Sequence, residues 1–280
     1  EPGFCGMKRL LENYHSHTRR CRHAEGGVSD YARAAADCGA RVLGICDHVP
    51  WPDDQWLGVR MSHGELGDYA AEIQAARAAF PDLEILAGFE CEFRQEYRAY
   101  LEDEILGRHG FTYLIGGLHW SPVNGQWRYL QELVASRALS QYAEHMVKAM
   151  ESGLFSFIAH PDLFGIWCDA WTAESAACSR DIFEAAAALR MPLEINGYGF
   201  RKSPIKTANG ERAPYPWTPF WELAAEYPIT VVCSSDAHRP QDLYANLPEC
   251  RALADRLGLK PADLSGLGRP RAGVPVNSGQ

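Results

Sequence analysis

The sequence predicts a single α/β domain built on a mostly parallel sheet, and three observations lead there. Seven short apolar runs alternate with longer helix-like segments along the chain. Six of those runs are followed directly by a residue able to hold a metal ion, as expected if strand C-terminal ends gather on one face. No linker, composition shift or repeat beyond that alternation divides the 280 residues, and 46% apolar content is enough for a sizeable core.

Each element has a local reason. Strands are expected at 10–14, 42–46, 83–89, 113–116, 155–159, 192–195 and 229–233. Ser29 reads as the N-cap of a helix over 30–38 that Gly39 ends, and a second helix over 64–80 stops before Pro81. Further helices are expected at 136–152 and 180–189. Residues 1–6 read as an extension ahead of Met7 and 268–280 as a flexible tail, leaving 7–267 as the folded domain.

Composition narrows the function. There are 27 Lys+Arg against 36 Asp+Glu, a net charge of -9, with no basic stripe, which argues against a nucleic-acid scaffold and for a small substrate. No apolar stretch reaches the roughly 20 residues of a membrane span and the N-terminus lacks a signal-peptide plan, so a cytoplasmic protein without membrane contact is expected. The nine cysteines form no Cys-x-x-Cys pair and read as free thiols, several of them buried.

The chemistry lies past the strand ends. Side chains alternate with period two, so His15 and His17 face the same side and can reach one ion; Asp236 and His238 repeat this after the last strand. His48, Glu90, His119 and His160 each follow a strand between them, and His23 lies in the loop after the first. A single histidine in such a place is commonly a surface or core residue, but their joint placement favours ligation. Glu90 closes an apolar run, where a buried carboxylate needs a metal or a basic partner. Glu92 reads as a supporting or substrate-facing group, and Asp47 and Asp162 as orienters of imidazoles or as turn residues. His63, His109 and His145 read as structural or solvated.

Together His15-Ser16-His17, Asp47-His48, Gly88-Phe89-Glu90, His119, Ala159-His160-Pro161-Asp162 and Ser235-Asp236-Ala237-His238 resemble the PHP (polymerase and histidinol phosphatase) family, from residue 11 to about residue 246. The resemblance implies a distorted, TIM-like (β/α)7 barrel holding two or three divalent ions, for which Zn, Fe or Mn suits the donors. It implies one ion on His15, His17, Glu90 and Asp236, with Glu90 bridging to a second on His119 and His160. The third would take His23, His48 and His238.

The segment from Leu193 to Lys202, followed by Tyr215-Pro216, resembles the stand-alone histidinol-phosphate phosphatase branch. That branch implies hydrolysis of L-histidinol phosphate to L-histidinol and phosphate, in histidine biosynthesis, by a metal-bridging hydroxide. Three divalent ions against two carboxylates leave roughly +4 of charge, which draws a phosphate dianion. Arg201 is the first candidate for a phosphate clamp, because guanidinium grips two oxygens and its loop carries no ligand; Lys202 and Arg239 follow. Asp236 or Asp162 is a possible acid for the leaving group. Asp53, Asp54, Glu92 and Glu96 are possible sources of an acidic edge for the substrate's cationic end, and the Trp-rich stretches 51–56 and 217–221 are candidates for the pocket mouth or a subunit contact. The rivals are a phosphatase for another small ester or nucleotide, a non-catalytic metal-binding module, and a metal amidohydrolase, although no expected strand ends on the lysine such barrels use.

Overall fold

A computed structural model describes residues 11–208 and 210–268. The expected extension at 1–6 and all but Gly268 of the expected tail lie outside the described residues. Eight parallel strands form one curled sheet whose neighbours follow chain order. They are β1 (Glu12–Asn13), β2 (Val42–Ile45), β3 (Glu84–Cys91), β4 (Tyr113–Gly116), β5 (Phe157–Ile158), β6 (Leu193–Asn196), β7 (Thr230–Ser234) and β8 (Lys260–Pro261). The first seven lie where the apolar runs placed them. The eighth escaped because two residues, Lys-Pro, carry no apolar signal, and proline is tolerated at such an edge.

The distortion of the barrel sits at its seam. β8 pairs with the start of β7 at Thr230 and Val231, occupying the edge where β1 would otherwise close the cylinder. Beyond their strands the two sides do meet, through a parallel bridge between Ser16 and Ala237 with the His17 amide donating to the Ala237 carbonyl at 2.8 Å. The seam is therefore joined at the C-terminal mouth, between the two segments that carry the expected donors His15, His17, Asp236 and His238.

Period two sorts the core into layers. Val42, Cys46, Leu86, Ile115, Phe157 and Val232 fill the barrel interior, while Leu43, Ile45, Ile85 and Leu114 pack outward under the helices. The Tyr113 ring lies across the interior against Gly88, where a Cβ would stand 2.5 Å from it, and its hydroxyl donates to the Tyr14 carbonyl at 2.8 Å. A side chain at Gly88 would displace that ring.

The outer helices are α1 (Val28–Asp37), α2 (Leu66–Ala79), α3 (Leu130–Ala135), α4 (Leu139–Glu151), α5 (Ala173–Leu189), α6 (Thr218–Ala224) and α7 (Leu247–Leu257). Their starts differ from expectation for local reasons. α1 is capped at Gly27, not Ser29, because the Asp30 carboxylate turns back to accept the Gly27 amide at 2.7 Å. α5 begins seven residues early, since the Thr172 hydroxyl accepts the Ser175 amide at 3.1 Å. The expected helix over 136–152 begins at Leu139, after a separate short helix. A π-helix at Tyr100–Arg108 and antiparallel hairpins at 120–129 and 205–212 were not expected. Among the described residues no helix is long and apolar enough to cross a membrane.

Candidate metal centre

The nine expected donors converge at the C-terminal mouth of the sheet, around Glu90. Its Oε2 stands 3.4 Å from His15 Nε2, 3.3 Å from His17 Nε2 and 3.2 Å from His48 Nδ1. Its Oε1 faces the other way, 2.8 Å from His160 Nε2 and 3.8 Å from His119 Nε2. One oxygen to each set is the geometry of a bridging carboxylate. Gly117 leaves the room for it, because a Cβ there would fall 1.9 Å from Oε1.

Asp236 completes the first set, with Oδ1 3.3 Å from His17 Nε2 and 3.6 Å from His15 Nε2. Among the described residues four groups have donor atoms mutually within 4.8 Å. His15, His17 and Asp236 fall within the first implied set, and Glu90, His119 and His160 match the second. By contrast, His17, His48 and Glu90 join His48 to the first set, and His17, Cys21 and His238 bring in a cysteine that the sequence did not single out. The third implied set is looser. The His23 ring lies 4.8 Å from that of His238 and 5.6 Å from that of His48, with His23 Nδ1 turned to the Cys21 carbonyl at 2.6 Å.

These residues fit metal ions by their own hydrogen bonding. His15 Nδ1 faces the Glu194 carboxylate at 2.9 Å, and donating there leaves Nε2 of a neutral ring as a bare lone pair. That lone pair points at His17 Nε2, 2.9 Å away, and at two carboxylates. Asp236 Oδ1 is buried with no hydrogen-bond partner. Burial disfavours charge on His17, yet Asp236 and Glu90 outweigh it and raise its pKa to about 9. Glu90 and Asp236 are held well below the usual carboxylate range by the surrounding histidines, against the burial that opposes their ionisation. The buried carboxylates demand positive charge at this point, and divalent ions supply it in place of imidazole protons. On the far side burial drives His238 down to about 3 and His48 well below its ordinary value, so both present neutral nitrogens.

The loops that carry the donors are fixed from behind. Asp236 and His160 have positive φ, 49° and 31°, where a non-glycine residue needs outside support. For Asp236 that support is Arg201, whose guanidinium donates to the carbonyls of Ser235 and Asp236 and to those of Gly197 and Ala245. Arg201 thus turns away from the pocket and staples its frame, in contrast to the clamp expected of it. Arg239 is also elsewhere, half-exposed and paired with Asp242 at 2.8 Å. Lys202 alone of the three lines the pocket, its Nζ 4.1 Å from the centre of the Tyr198 ring, which in turn stacks on His238 at 4.5 Å.

The expected orienting carboxylates are likewise reassigned. Asp47 accepts the Thr18 amide and hydroxyl, both at 2.8 Å, and so ties the loop after β1. Asp162 lies beneath α6, accepting the Trp217 amide at 2.6 Å and Trp221 Nε1–H at 2.9 Å. That contact holds two tryptophans in the helical layer and leaves Asp162 off the pocket lining. The imidazoles are oriented by Glu194, which also accepts the His160 amide at 3.0 Å, and by Glu92, 3.3 Å from His119 Nδ1 and salt-bridged to buried Arg60. Sequence reasoning missed Glu194, although its signal, a carboxylate inside the apolar run Leu193–Asn196, is the one that singled out Glu90. Asp53, Asp54, Glu92 and Glu96 do not line the pocket. His63, His109 and His145 lie outside the cluster, with His145 buried between the Ser121 hydroxyl and the Phe93 carbonyl.

Fold and donor set define a barrel whose strand ends gather donors suited to more than one metal ion around a buried carboxylate. The chain belongs to the PHP domain family, whose model matches residues 13–197. It is 31% identical over 244 residues to a probable histidinol-phosphatase of Deinococcus radiodurans, covering 82% of this chain and 86% of that one. A probable histidinol-phosphatase of Schizosaccharomyces pombe is 22% identical over 270 residues, covering 88% and 86%. Among solved structures, histidinol phosphate phosphatase of Lactococcus lactis, complexed with zinc, L-histidinol and phosphate, superposes with a TM-score of 0.68 at 16% identity, covering 91% of this chain and 97% of that one.

Proposed function

We propose that this protein is a metal-dependent phosphomonoesterase that hydrolyses L-histidinol phosphate to L-histidinol and phosphate. The observation that carries the reading is the convergence of the donor set on the floor of a pocket of about 180 Å³, within a chain 31% identical to a probable histidinol-phosphatase. Such a pocket suits a small ester. His15, His17, Glu90 and Asp236 would hold one ion, Glu90, His119 and His160 a second, and His23, His48 and His238 a third, with zinc, iron or manganese compatible with these donors. When bound, the ions supply Lewis acidity toward the phosphoryl oxygens and lower the pKa of water to about 7.

The chain's own residues hold and orient. Glu194 and Glu92 fix the ring faces of His15 and His119, and Arg201 holds the Asp236 turn. Lys202 is the remaining cation for the phosphate: among the described residues it is the lysine or arginine that lines the pocket. Burial lowers its pKa, with Asp236 working against that. Asp236 is committed as a ligand and Asp162 to its tryptophans, so neither is free to protonate the leaving alkoxide.

Phosphate release from L-histidinol phosphate, beside a panel of sugar, nucleotide and amino-acid phosphates and with metal content measured in the same sample, tests the reading. A strong preference for histidinol phosphate with two or three ions per chain is expected; preference for another ester would keep the chemistry and change the substrate. Lys202→Met is expected to raise KM for every ester by about tenfold, the value of one hydrogen bond to a charged group. An unchanged KM would remove Lys202 from the phosphate.

A further inference from the structure

The pocket has two unlike sides. The Lys202 ammonium and Tyr198 stand by His238, whereas Val59, Trp120, Tyr129, Leu163 and Ile166 form an apolar side reached through His119, whose ring is 6.0 Å from that of Trp120. Trp120 and Tyr129 are cross-strand partners in the hairpin at 120–129, with ring centres 5.2 Å apart.

That side is rigid. The Trp56 ring stacks on Trp120 at 4.6 Å and 13°, and meets Trp127 edge-on at 5.7 Å. Behind it the guanidinium groups of Arg60 and Arg94 lie 5.1 and 5.6 Å from the Trp56 ring centre. Arg60 is itself neutralised by buried Glu92. Such a stack holds Trp120 in one orientation before any ligand arrives, so little side-chain freedom is lost on binding.

Among the described residues the carboxylates lining the pocket are Glu90 and Asp236, and both belong to the metal centre. A positive charge on the organic end of an ester would find no free carboxylate there. It would find ring faces, which attract cations and pack against flat groups.

Building on the phosphatase reading, we propose that Trp120 and Tyr129 form the specificity subsite, which takes a flat, cationic organic group while the phosphate lies toward Lys202. Selectivity for the leaving group then comes from the hairpin, and the phosphate chemistry from the strand ends.

The test uses metal-loaded enzyme and the variants Trp120→Ala and Trp120→Phe. L-histidinol phosphate, phenyl phosphate and glycerol 1-phosphate serve as substrates, and calorimetry reads the binding of L-histidinol and of inorganic phosphate. Trp120→Ala is expected to raise KM for histidinol phosphate roughly tenfold with little change in kcat, and to weaken L-histidinol binding by the same factor. Glycerol phosphate turnover and phosphate binding should be unaltered, and Trp120→Phe should restore most of the loss. Equal losses on all three esters, or a fall in metal content in both variants, would make Trp120 structural and overturn the proposal, as would unchanged histidinol binding. If the parent enzyme ignores histidinol phosphate, the substrate reading fails separately. A Trp120-dependent preference for phenyl over glycerol phosphate would still sustain the subsite, and its absence would sink that too.

Discussion

Arg201 illustrates how one side chain can matter to a reaction without touching it. Its two terminal nitrogens donate to four carbonyls and the Asn246 side chain, and two of those carbonyls flank the left-handed turn that presents Asp236. Truncation removes those contacts and frees the turn, leaving His238 Nδ1 as the side-chain partner of the Asp236 carbonyl. Arg201→Ala should therefore lower metal affinity by about 10–100-fold, the usual cost of losing support behind a ligand, and lower activity in step. Equilibrium dialysis against a metal buffer reads this directly; full metal retention with a raised KM would instead return Arg201 to the phosphate. The direction of that guanidinium was not legible in the sequence. An arginine in a polar loop carries no mark that distinguishes a phosphate partner from a carbonyl. Glu194 was legible in principle, because a carboxylate within an apolar strand always needs a partner, but attention to the residues after each strand passed over the one inside it.

At the scale of elements, what was legible follows period and position. The seven strands and the donors beyond them came from apolar runs and from what closes each run, signals that tertiary context leaves intact. Hairpin 120–129 was not legible: Trp120 and Trp127 are recruited by Trp56 from a distant loop, and Tyr129 packs on Trp120 only once the two strands pair. Helix starts were missed where a side-chain cap, not hydrophobic period, sets the boundary. α5 offers a measurable case, since its first turn depends on the Thr172 hydroxyl. Thr172→Ala should cost about 1 kcal/mol of stability and leave the kinetic constants unchanged. Urea unfolding monitored by circular dichroism reads it, and an unaltered midpoint would mean the cap carries no weight.

For the whole molecule, metal binding and the fold are expected to be coupled. The candidate donors come from β1, β2, β3, β4, β5 and β7 and their following loops, so ions that bind the folded arrangement would add their binding energy to its stability. Chelation of the loaded protein should lower Tm, by about 2–4 °C for each kcal/mol of linkage lost in a chain of this size, and readdition of metal should restore it. A Tm indifferent to chelation would mean that the donors are held together by the scaffold alone.

The seam gives that coupling a second meaning. The bridge between Ser16 and Ala237 sits between His15 and His17 on one side and Asp236 and His238 on the other. Ions drawing these four side chains together would hold the two edges of the sheet shut, and an open seam would bare the strand edges on which neighbouring chains aggregate. Metal supply during synthesis would then decide not only how much of the protein is active but how much of it stays in solution.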